Sequence, residues 1–249
     1  MTLCRLSDGL MVFIIEDTGQ VTIGKASRNV GYPMFRSKLS GNGSGGARME
    51  KKTDRRTVRS RDAIQEACLQ LMEESGFERL TVQLIADRAD VNRTTLYAHY
   101  SDKYDLVDRM IDAKLEALVA TIKPAFLNAD YLAYREEEPH PALVLLFEFV
   151  SAHERFFRLM FGEKGVPGFK ERMMRVVGEQ LYGEMLSLYV NEAKAQVSPD
   201  VLVGYLLSAH MGVITAWLSG GMRLPPREIA RQLNVICYHG PFRAGGVIV

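Results

Sequence analysis

Cysteine is scarce in this sequence, and other marks of specialised chemistry are missing. The three cysteines, Cys4, Cys68 and Cys237, are scattered and form no C-x-x-C pair. An odd number of isolated thiols indicates a reducing cytoplasm rather than a disulfide scaffold. The five histidines form no H-x-x-x-H pair, so a metal site carried by one helix is unsupported.

Further absences narrow the class of protein. The sequence contains neither a G-x-S-x-G elbow nor a P-loop, and we expect no enzyme, no cofactor and no metal. It contains no run of eighteen apolar residues, so we expect no membrane span. The apolar stretch Leu10–Ile15 lacks the flanks of a secretory signal. The net charge is only +1, so any contact with nucleic acid must depend on local clusters of basic residues.

Residues 1–48 differ in character from the remainder of the chain. The β-prone runs Met11–Ile15 and Val21–Ile23 flank a turn at Asp17-Thr-Gly19 and predict a hairpin, while residues 40–46 have the composition of a flexible linker. A lone two-stranded hairpin is only marginally stable in water. We therefore expect a weakly ordered extension, with the natural start of the protein at Met49.

From Met49 onward, apolar residues recur at helical spacing and predict an all-α fold. The first helix ends at Gly76, and Thr81 and Asn92 are the expected N-caps of two short helices over 82–89 and 93–100. Ser101 or Asp102 caps a long helix that Pro124 ends. Further helices are expected near 141–151, 153–162, 167–193, 199–220 and 226–236, followed by a tail without a helical pattern.

Residues 81–103 have the layout of a helix-turn-helix, whose second helix enters the major groove of DNA. One face of the predicted second helix points back toward the first, because Leu96 and Tyr100 lie four residues apart. They meet an apolar patch made of Ile85, Ala86, Ala89 and Val91. The two alanines allow the helices to cross closely.

The opposite face of that helix is suited to DNA. Arginine makes paired bonds to guanine, and threonine contacts a base edge or a thymine methyl group, so Arg93 and Thr94 are expected to face the bases. The side chains suited to phosphate are those of Thr81, Tyr97, His99 and Lys103. Residues 51–61 carry six basic residues and one acid, a local charge of +5. The alternative is an ordinary helical pair beside a solvated basic surface.

The spacing G-F-x3-T-V-x2-I-A-x2-A-x-V-x4-L-Y-x-H-Y-x2-K-x2-L, from Gly76 to Leu106, resembles the N-terminal domain of TetR-family transcriptional regulators. The resemblance covers Arg56–Val119. Tyr100 stands where the family often has phenylalanine, and Arg93 is bulkier than the family's usual residue, so base preference is not transferred. The resemblance implies a phosphate-binding cap at Thr81, recognition contacts from Arg93, Thr94, Thr95 and Tyr97, and backbone anchors at His99 and Lys103.

Family members continue with a larger helical domain that binds a ligand and dimerises. In the predicted helix 199–220, small residues recur every fourth position, which lets another helix approach closely. We hypothesise that this row is the dimer seam, with packing on helix 167–193 of the same chain as the alternative. The row consists of Gly204, Ser208, Gly212 and Ala216, continued by Gly220.

A ligand pocket in this second block is predicted from its large side chains. His210 and Trp217 lie seven residues apart on one helical face, where an imidazole beside an indole can bind a polar ligand. The alternative is that these residues are plain core. The predicted pocket residues are Phe147, His153, Phe157, His210 and Trp217.

These observations predict a cytoplasmic, homodimeric, ligand-responsive regulator, a repressor that reads a palindromic operator in double-stranded DNA. The expected domains are an extension over 1–48, a helix-turn-helix domain over 49–104, a regulatory and dimerisation domain over 105–237, and a tail over 238–249. Two alternatives stay open. One is a helical co-regulator that does not bind DNA, and the other is a helical small-molecule-binding protein or enzyme.

Overall fold

The computed structural model describes residues 2–5, 11–14, 46–128, 138–183 and 194–247, with side chains from Thr57 onward. Residue contacts divide the chain into two compact units, Met1–Arg48 and Met49–Val249. In the first unit, β1 (Thr2–Arg5) pairs antiparallel with β2 (Met11–Ile14), and Thr2 lies opposite Ile14. The predicted strand at Met11 is confirmed, but its partner is β1, which the sequence analysis did not identify. The predicted second strand, turn and most of the linker lie outside the described residues.

From Gly46 the described chain is helical, and the all-α prediction is confirmed for this part. Phe77–Arg79 form a 3-10 turn, and Gly178–Tyr182 form a π-helical turn. The described helices are α1 (Gly46–Ser75), α2 (Val82–Arg88), α3 (Arg93–His99), α4 (Lys103–Asn128), α5 (Pro141–Ala152), α6 (Glu154–Phe161), α7 (Phe169–Val177), α8 (Pro199–Ser219) and α9 (Pro226–Ala244).

The predicted N-caps are confirmed by their hydrogen bonds. Thr81 Oγ1 accepts from the backbone N–H of Leu84 at 3.2 Å. Asn92 Oδ1 accepts from the N–H of Thr94 at 2.9 Å. Asp102 is the cap of α4, because its Oδ1 accepts from two N–H groups of the first turn at 2.8 Å. These side chains satisfy donors that no helical carbonyl can reach, and they set where each helix begins.

Helix α4 passes through Pro124 instead of ending there, so that prediction is wrong. The helix continues to Asn128. Proline removes one backbone donor but does not stop a helix whose flanking turns are anchored by packing. Ile122 and Phe126, on either side of Pro124, are both buried and supply that anchorage.

Two of the predicted helices, 167–193 and 226–236, differ from the structure at their ends. The expected helix 167–193 is α7, which passes at Gly178 into the π-helical turn; residues 184–193 lie outside the described part. The helix expected to stop at 236 continues to Ala244. Gly240 breaks its regularity with a φ of 73°, and Pro241 then opens a new turn. Proline favours the first position of a helix, so part of the predicted tail is helical.

The second unit has one continuous hydrophobic core, with α4 running through it. Leu106 and Ile111 in the first half of α4 are buried in this core, and the Arg109 guanidinium lies 5.8 Å from the centre of the ring of Tyr100, which follows α3. The same helix packs on α5 and α7. One continuous helix therefore joins the helix-turn-helix to the larger helical block.

Helix α8 is unusually apolar. Among the described helices it is the one long and apolar enough to cross a membrane, with a mean hydropathy of 1.7 in its most apolar window. The sequence criterion missed it because polar residues such as Ser208 and Thr215 interrupt the apolar run. Only 33% of that window is buried in the structure. Its inner face includes Leu207, Met211 and Ile214.

Candidate nucleic-acid interface and ligand cavity

The turn between α2 and α3 is tight and contains no glycine. Asp90 adopts a left-handed conformation with a φ of 51°. The backbone N–H of Val91 then donates to the carbonyl of Ala86 at 3.1 Å and ties the turn to the end of α2. Aspartate tolerates this conformation better than most residues, so the sequence can close the turn here.

The inner face of α3 is fixed by burial and by one polar contact. Leu96 and Tyr100 are both buried against α2, where Ile85 and Ala86 are also buried, which confirms their predicted orientation. The Tyr100 hydroxyl accepts from Gln65 Nε2 of α1 at 3.1 Å. Tyrosine at this position therefore fills the core with its ring and joins α3 to α1 with its hydroxyl.

The outer face of α3 is open to solvent. Arg93 and Thr94 are exposed, and Tyr97 is 55% exposed. Thr95 is half-buried, so it lies at the border of this face. Thr81, the α2 cap, is also exposed. The predicted recognition residues are thus accessible, while the buried inner face of α3 holds the helix in place.

The two predicted backbone anchors have contacts within the protein. The His99 ring is half-buried, with its centre 6.0 Å from that of Tyr100. The Lys103 ammonium donates to the carbonyl of Phe77 at 3.3 Å and to that of Glu78 at 3.1 Å. It also lies 4.9 Å from the centre of the Phe77 ring. Lys103 braces the 3-10 turn against α4, and a lysine ammonium has three donors in all.

Tyr104 was missed by the sequence analysis. Its side chain is 57% exposed, beside Lys103 in the first turn of α4. Its ring packs edge-on against Phe77, with the centres 5.4 Å apart. The available signal was an aromatic residue between the charged residues Lys103 and Asp105 at the start of α4. A tyrosine held this way is suited to a phosphate contact.

The basic segment 51–61 belongs to α1. Arg59 and Arg61 are exposed, and Arg61 Nε lies 4.0 Å from Asp62 Oδ1. The side chains of Lys51, Lys52 and the residues up to Arg56 lie outside the described part. The exposed charge at the end of this segment is therefore positive.

One set of ion pairs connects the helix-turn-helix domain to the second block, and another fixes α7 to α4. Arg155 of α6 bonds to Glu66 and Glu73 of α1, at 2.7 Å in each case. These hydrogen bonds, to Glu73 first and then Glu66, raise the pKa of the guanidinium. Arg172 of α7 bonds to Asp108 and Asp112 of α4, at 2.5 and 2.6 Å. The Arg155 pairs therefore join the two blocks in addition to α4.

A small cavity of about 30 Å³ lies within the second block. Its walls come from α4, α5, α7, the π-helical turn and α8. The lining residues are Ile122, Phe126, Ala142, Leu143, Leu146, Met173, Val177, Leu181, Tyr182, Leu207, His210, Met211 and Ile214.

The polar groups of this cavity form a short chain. The Tyr182 hydroxyl and His210 Nδ1 are hydrogen-bonded to each other. On its other side, His210 Nε2 lies 3.6 Å from the sulfur of Cys237 in α9. Burial lowers the pKa of His210 to about 4, so the ring is neutral at pH 7.

Of the five predicted pocket residues, only His210 lines this cavity. Phe147 and Trp217 pack edge-on with centres 5.3 Å apart, and the indole N–H donates to the carbonyl of Leu224 at 2.9 Å. Phe157 is fully buried among other aromatic rings. His153 follows the end of α5, where its Nδ1 contacts the carbonyl of Phe149 at 2.9 Å.

The predicted seam residues on α8 face outward. Gly204, Ser208, Gly212 and Ala216 are all exposed. A methyl group added at Gly204 or Gly212 would meet nothing within 4 Å among the described residues. Within the described ranges, therefore, this row does not pack on another helix of the same chain. No group of three or more potential metal-ligating side chains occurs in those ranges either.

Together these features define an all-α protein with an N-terminal helix-turn-helix and a larger cavity-bearing helical block. The family model described as bacterial regulatory proteins, tetR family, matches residues 64–110. A second model, transcriptional regulator C-terminal region, matches residues 137–238. The chain belongs to the TetR family of regulators.

Two curated relatives agree with this assignment. An uncharacterised HTH-type transcriptional regulator, YxbF of Bacillus subtilis, is 25% identical over 172 residues, which cover 68% of this chain and 42% of the relative. An HTH-type transcriptional regulator of Saccharopolyspora erythraea is 34% identical over 66 residues, covering 26% of this chain and 28% of the relative. The chain thus spans less than half the length of either relative.

Solved structures share the fold. A TetR-family regulator described as putative, from Syntrophomonas wolfei, superposes with a TM-score of 0.58 at 16% identity, covering 76% of this chain and 97% of its own. NalD of Pseudomonas aeruginosa, titled the secondary repressor of the MexAB-OprM multidrug efflux pump, gives 0.55 at 19% identity, covering 74% and 96%. The similarity extends over both helical blocks.

Proposed function

We propose that this protein is a dimeric, ligand-responsive DNA-binding transcriptional regulator that represses genes at a palindromic operator. The observation that carries the proposal is the two-sided nature of α3. Leu96 and Tyr100 anchor it from within, while Arg93, Thr94 and Tyr97 stand free on the opposite face. A helix anchored in this way can enter the major groove without rearrangement of the core.

The DNA contacts follow from the chemistry of the exposed groups. Arg93 and Thr94 would read base edges, with Thr95 at the border of the same face. Tyr97 and Thr81 would bind phosphates, and His99 and Lys103 would fix the backbone from positions already braced within the protein. Tyr104 joins this set because its exposed ring lies next to Lys103. Arg59 and Arg61 add positive charge from α1.

Dimerisation through α8 and α9 would supply the second recognition helix. The small residues Gly204, Ser208, Gly212 and Ala216 are exposed, which leaves room for a helix of a second copy. Large exposed apolar side chains occur on the same two helices, including Val201, which is 63% exposed, and Phe242, which is 69% exposed. Exposed apolar surface of this kind favours a partner. Two copies related by a twofold axis would read half-sites about 34–36 Å apart or a multiple of that distance.

A ligand in the cavity would act on DNA binding through α4. Ile122 and Phe126 of α4 line the cavity, and nearer its other end Arg109 lies 5.8 Å from the centre of the Tyr100 ring at the end of α3. A ligand shifts the balance between two arrangements only through its different affinity for each, so it must contact groups that move. We propose repression rather than activation of transcription because NalD, which shares the fold, is titled a repressor.

The proposal is tested by selecting DNA fragments from a random pool with the purified protein and sequencing them. We expect a palindromic site that the protein retards on a gel. On that site, Arg93→Ala should weaken binding by about 10- to 100-fold, as expected for the loss of a paired base contact. The matched control is Arg175→Ala, which removes an exposed arginine from α7 and should leave affinity unchanged. Equal effects of both variants, or no selected site, would contradict the proposal.

A further inference from the structure

We propose that the cavity beside α4 takes an uncharged, mainly apolar ligand that carries a single hydroxyl-type group. The statement that such a ligand changes DNA affinity rests on the proposed function; the binding itself does not. Three features of the cavity support this ligand class. The described lining residues carry no charge, two of them form a polar pair, and the methionine side chains in the wall can rearrange.

Among the residues that the structure describes, the walls offer no counter-charge. Of the thirteen lining residues, all except Tyr182 and His210 are hydrophobic, and none is an arginine, lysine, aspartate or glutamate. Transfer of an unpaired carboxylate or ammonium group into such surroundings costs far more than the apolar part of a small ligand can return. His210 does not supply a positive charge, since burial keeps its ring neutral. The lining therefore selects against ionised ligands of either sign.

The phenol–imidazole pair gives the cavity one polar end. Tyr182 and His210 come from different elements, the π-helical turn and α8, and are hydrogen-bonded to each other where both face the cavity. Both groups can accept or donate a hydrogen bond, depending on the tautomer of the ring. Because His210 uses Nδ1 for Tyr182 and its Nε2 lies against Cys237, a ligand hydroxyl would join this pair at the Tyr182 oxygen. An entirely apolar ligand would gain nothing from it.

The remaining wall can adapt to an elongated chain. Met173 of α7 and Met211 of α8 both line the cavity, and methionine side chains rearrange at small cost because they are unbranched. The π-helical turn Gly178–Tyr182 places Leu181 and Tyr182 side by side at the cavity. Such turns are found frequently at functional sites. The apolar end of the cavity is formed by branched side chains such as Ile122 and Ile214.

The test uses three probes that share an eight-carbon chain: 1-octanol, octanoate and octylammonium. Titration calorimetry on the full chain at pH 7.5 measures each affinity, with Trp217, the single tryptophan, as a fluorescence reporter on α8. We expect 1-octanol to bind at least about 100-fold more tightly than either ion. Shortening the alcohol from octanol to hexanol should weaken binding about 15-fold, because each buried methylene contributes about fourfold.

A charge variant tests where the probe binds. Leu146 lines the cavity and is half-buried, so in Leu146→Lys the ammonium can reach solvent at the rim without unfolding α5. This variant should raise the affinity for octanoate at least 10-fold relative to 1-octanol. The matched control is Leu145→Lys, which changes a neighbouring half-buried leucine outside the lining and should leave the ratio unchanged.

Octanoate binding as tight as octanol in the unmodified protein would overturn the inference, as would absence of octanol binding. The same holds if Leu145→Lys and Leu146→Lys shift the ratio equally. These results do not depend on DNA. If octanol binds as expected but no DNA site is selected, only the proposed function is contradicted. If DNA is retarded but octanol does not bind, only the cavity inference is contradicted.

Discussion

The guanidinium of Arg155 donates two parallel hydrogen bonds to the carboxylate of Glu73, at 2.7 and 2.9 Å, and the two residues are 82 positions apart in the sequence. This pair fixes α6 of the larger block against the C-terminal part of α1. Lys164, in the loop after α6, adds a hydrogen bond from its ammonium to the carbonyl of Glu73. The backbone carbonyl of Lys164 accepts a hydrogen bond from the N–H of Phe77 at 3.1 Å. The helix-turn-helix is therefore held at both ends, by α4 and by α6 with its following loop.

We predict that Arg155→Met lowers operator affinity by roughly 3- to 30-fold, as expected for a coupling of 0.5–2 kcal/mol, with little loss of stability. The physical reason is that α1 loses its orientation relative to α6, while exposed ion pairs contribute little to folding. Gel retardation and thermal unfolding measure the two effects. Arg158→Met is the control, because Arg158 pairs with Glu154 of its own helix and not with α1 among the described residues. An equal loss in both variants would remove the assigned role.

Lys103→Ala should affect both folding and DNA binding. Loss of the ammonium leaves the carbonyls of Phe77 and Glu78 without this donor, and we expect the free energy of unfolding to fall by about 1–2 kcal/mol. If the remaining donor binds a phosphate, the slope of log affinity against log salt should also decrease in magnitude by about one unit. Chemical denaturation measures the change in unfolding free energy, and DNA binding at several salt concentrations measures the change in the salt slope. A salt slope that stays the same would leave Lys103 with the bracing role alone.

Acid should destabilise the protein through two buried histidines. Burial lowers the pKa of both His140 and His210 from 6.5 to about 4. The unfolded chain therefore binds more protons between these values, and stability that is complete above pH 6.5 is lost as the pH falls toward 4. Each ring contributes a slope of about 1.4 kcal/mol per pH unit within this window.

The variant His140→Asn isolates one of these rings. His140 Nδ1 accepts from the N–H of Ala142 at 3.1 Å and caps α5, a role that asparagine also performs well. We expect the slope of unfolding free energy between pH 6.5 and 4 to be reduced by about 1.4 kcal/mol per unit, with the helix content unchanged. Urea denaturation at several pH values measures it. An unaltered slope would show that His140 does not titrate in this window.

Gly212→Leu should abolish the dimer and leave the protomer folded. The added side chain points into open space in the protomer, and leucine is about 1 kcal/mol better than glycine in a helix. In the proposed seam, the same side chain prevents close approach of the second copy. Sedimentation and circular dichroism measure assembly and folding. Glu116→Leu, at an exposed site on α4, is the control; a Gly212→Leu protein that stays dimeric would contradict the seam.

The sequence was sufficient where local rules decide the structure. Leu96 and Tyr100 could be placed on the inner face of α3 because four-residue spacing defines a helical face. Thr81 and Asn92 could be recognised as caps because only a few side chains satisfy the first N–H groups of a helix. These rules are independent of the rest of the fold, which explains why the helix-turn-helix was the best-predicted part.

The sequence was insufficient where residues distant along the chain meet. Trp217 and His210 share a helical face, yet Trp217 packs on Phe147 and only His210 reaches the cavity. Nothing in the spacing distinguishes core from cavity, since both are apolar. The sequence also did not predict the Arg155–Glu73 ion pair or the pairing of β1 with β2. The partner of a charged side chain or of a short strand is determined by the three-dimensional arrangement of the chain.

Pro124 gives α4 a point of low bending stiffness. Proline has no N–H, so the carbonyl of Ala120, one turn earlier, lacks the bond that would otherwise stiffen the helix there. This gap lies between Ile122 and Phe126, the two side chains that α4 contributes to the cavity. A molecule that spreads those two side chains pushes on the helix where it yields most readily. Nearer the N-terminal end of α4, Asp108 and Asp112 are hydrogen-bonded to Arg172 of α7, so the larger block resists any bend on that side of Pro124.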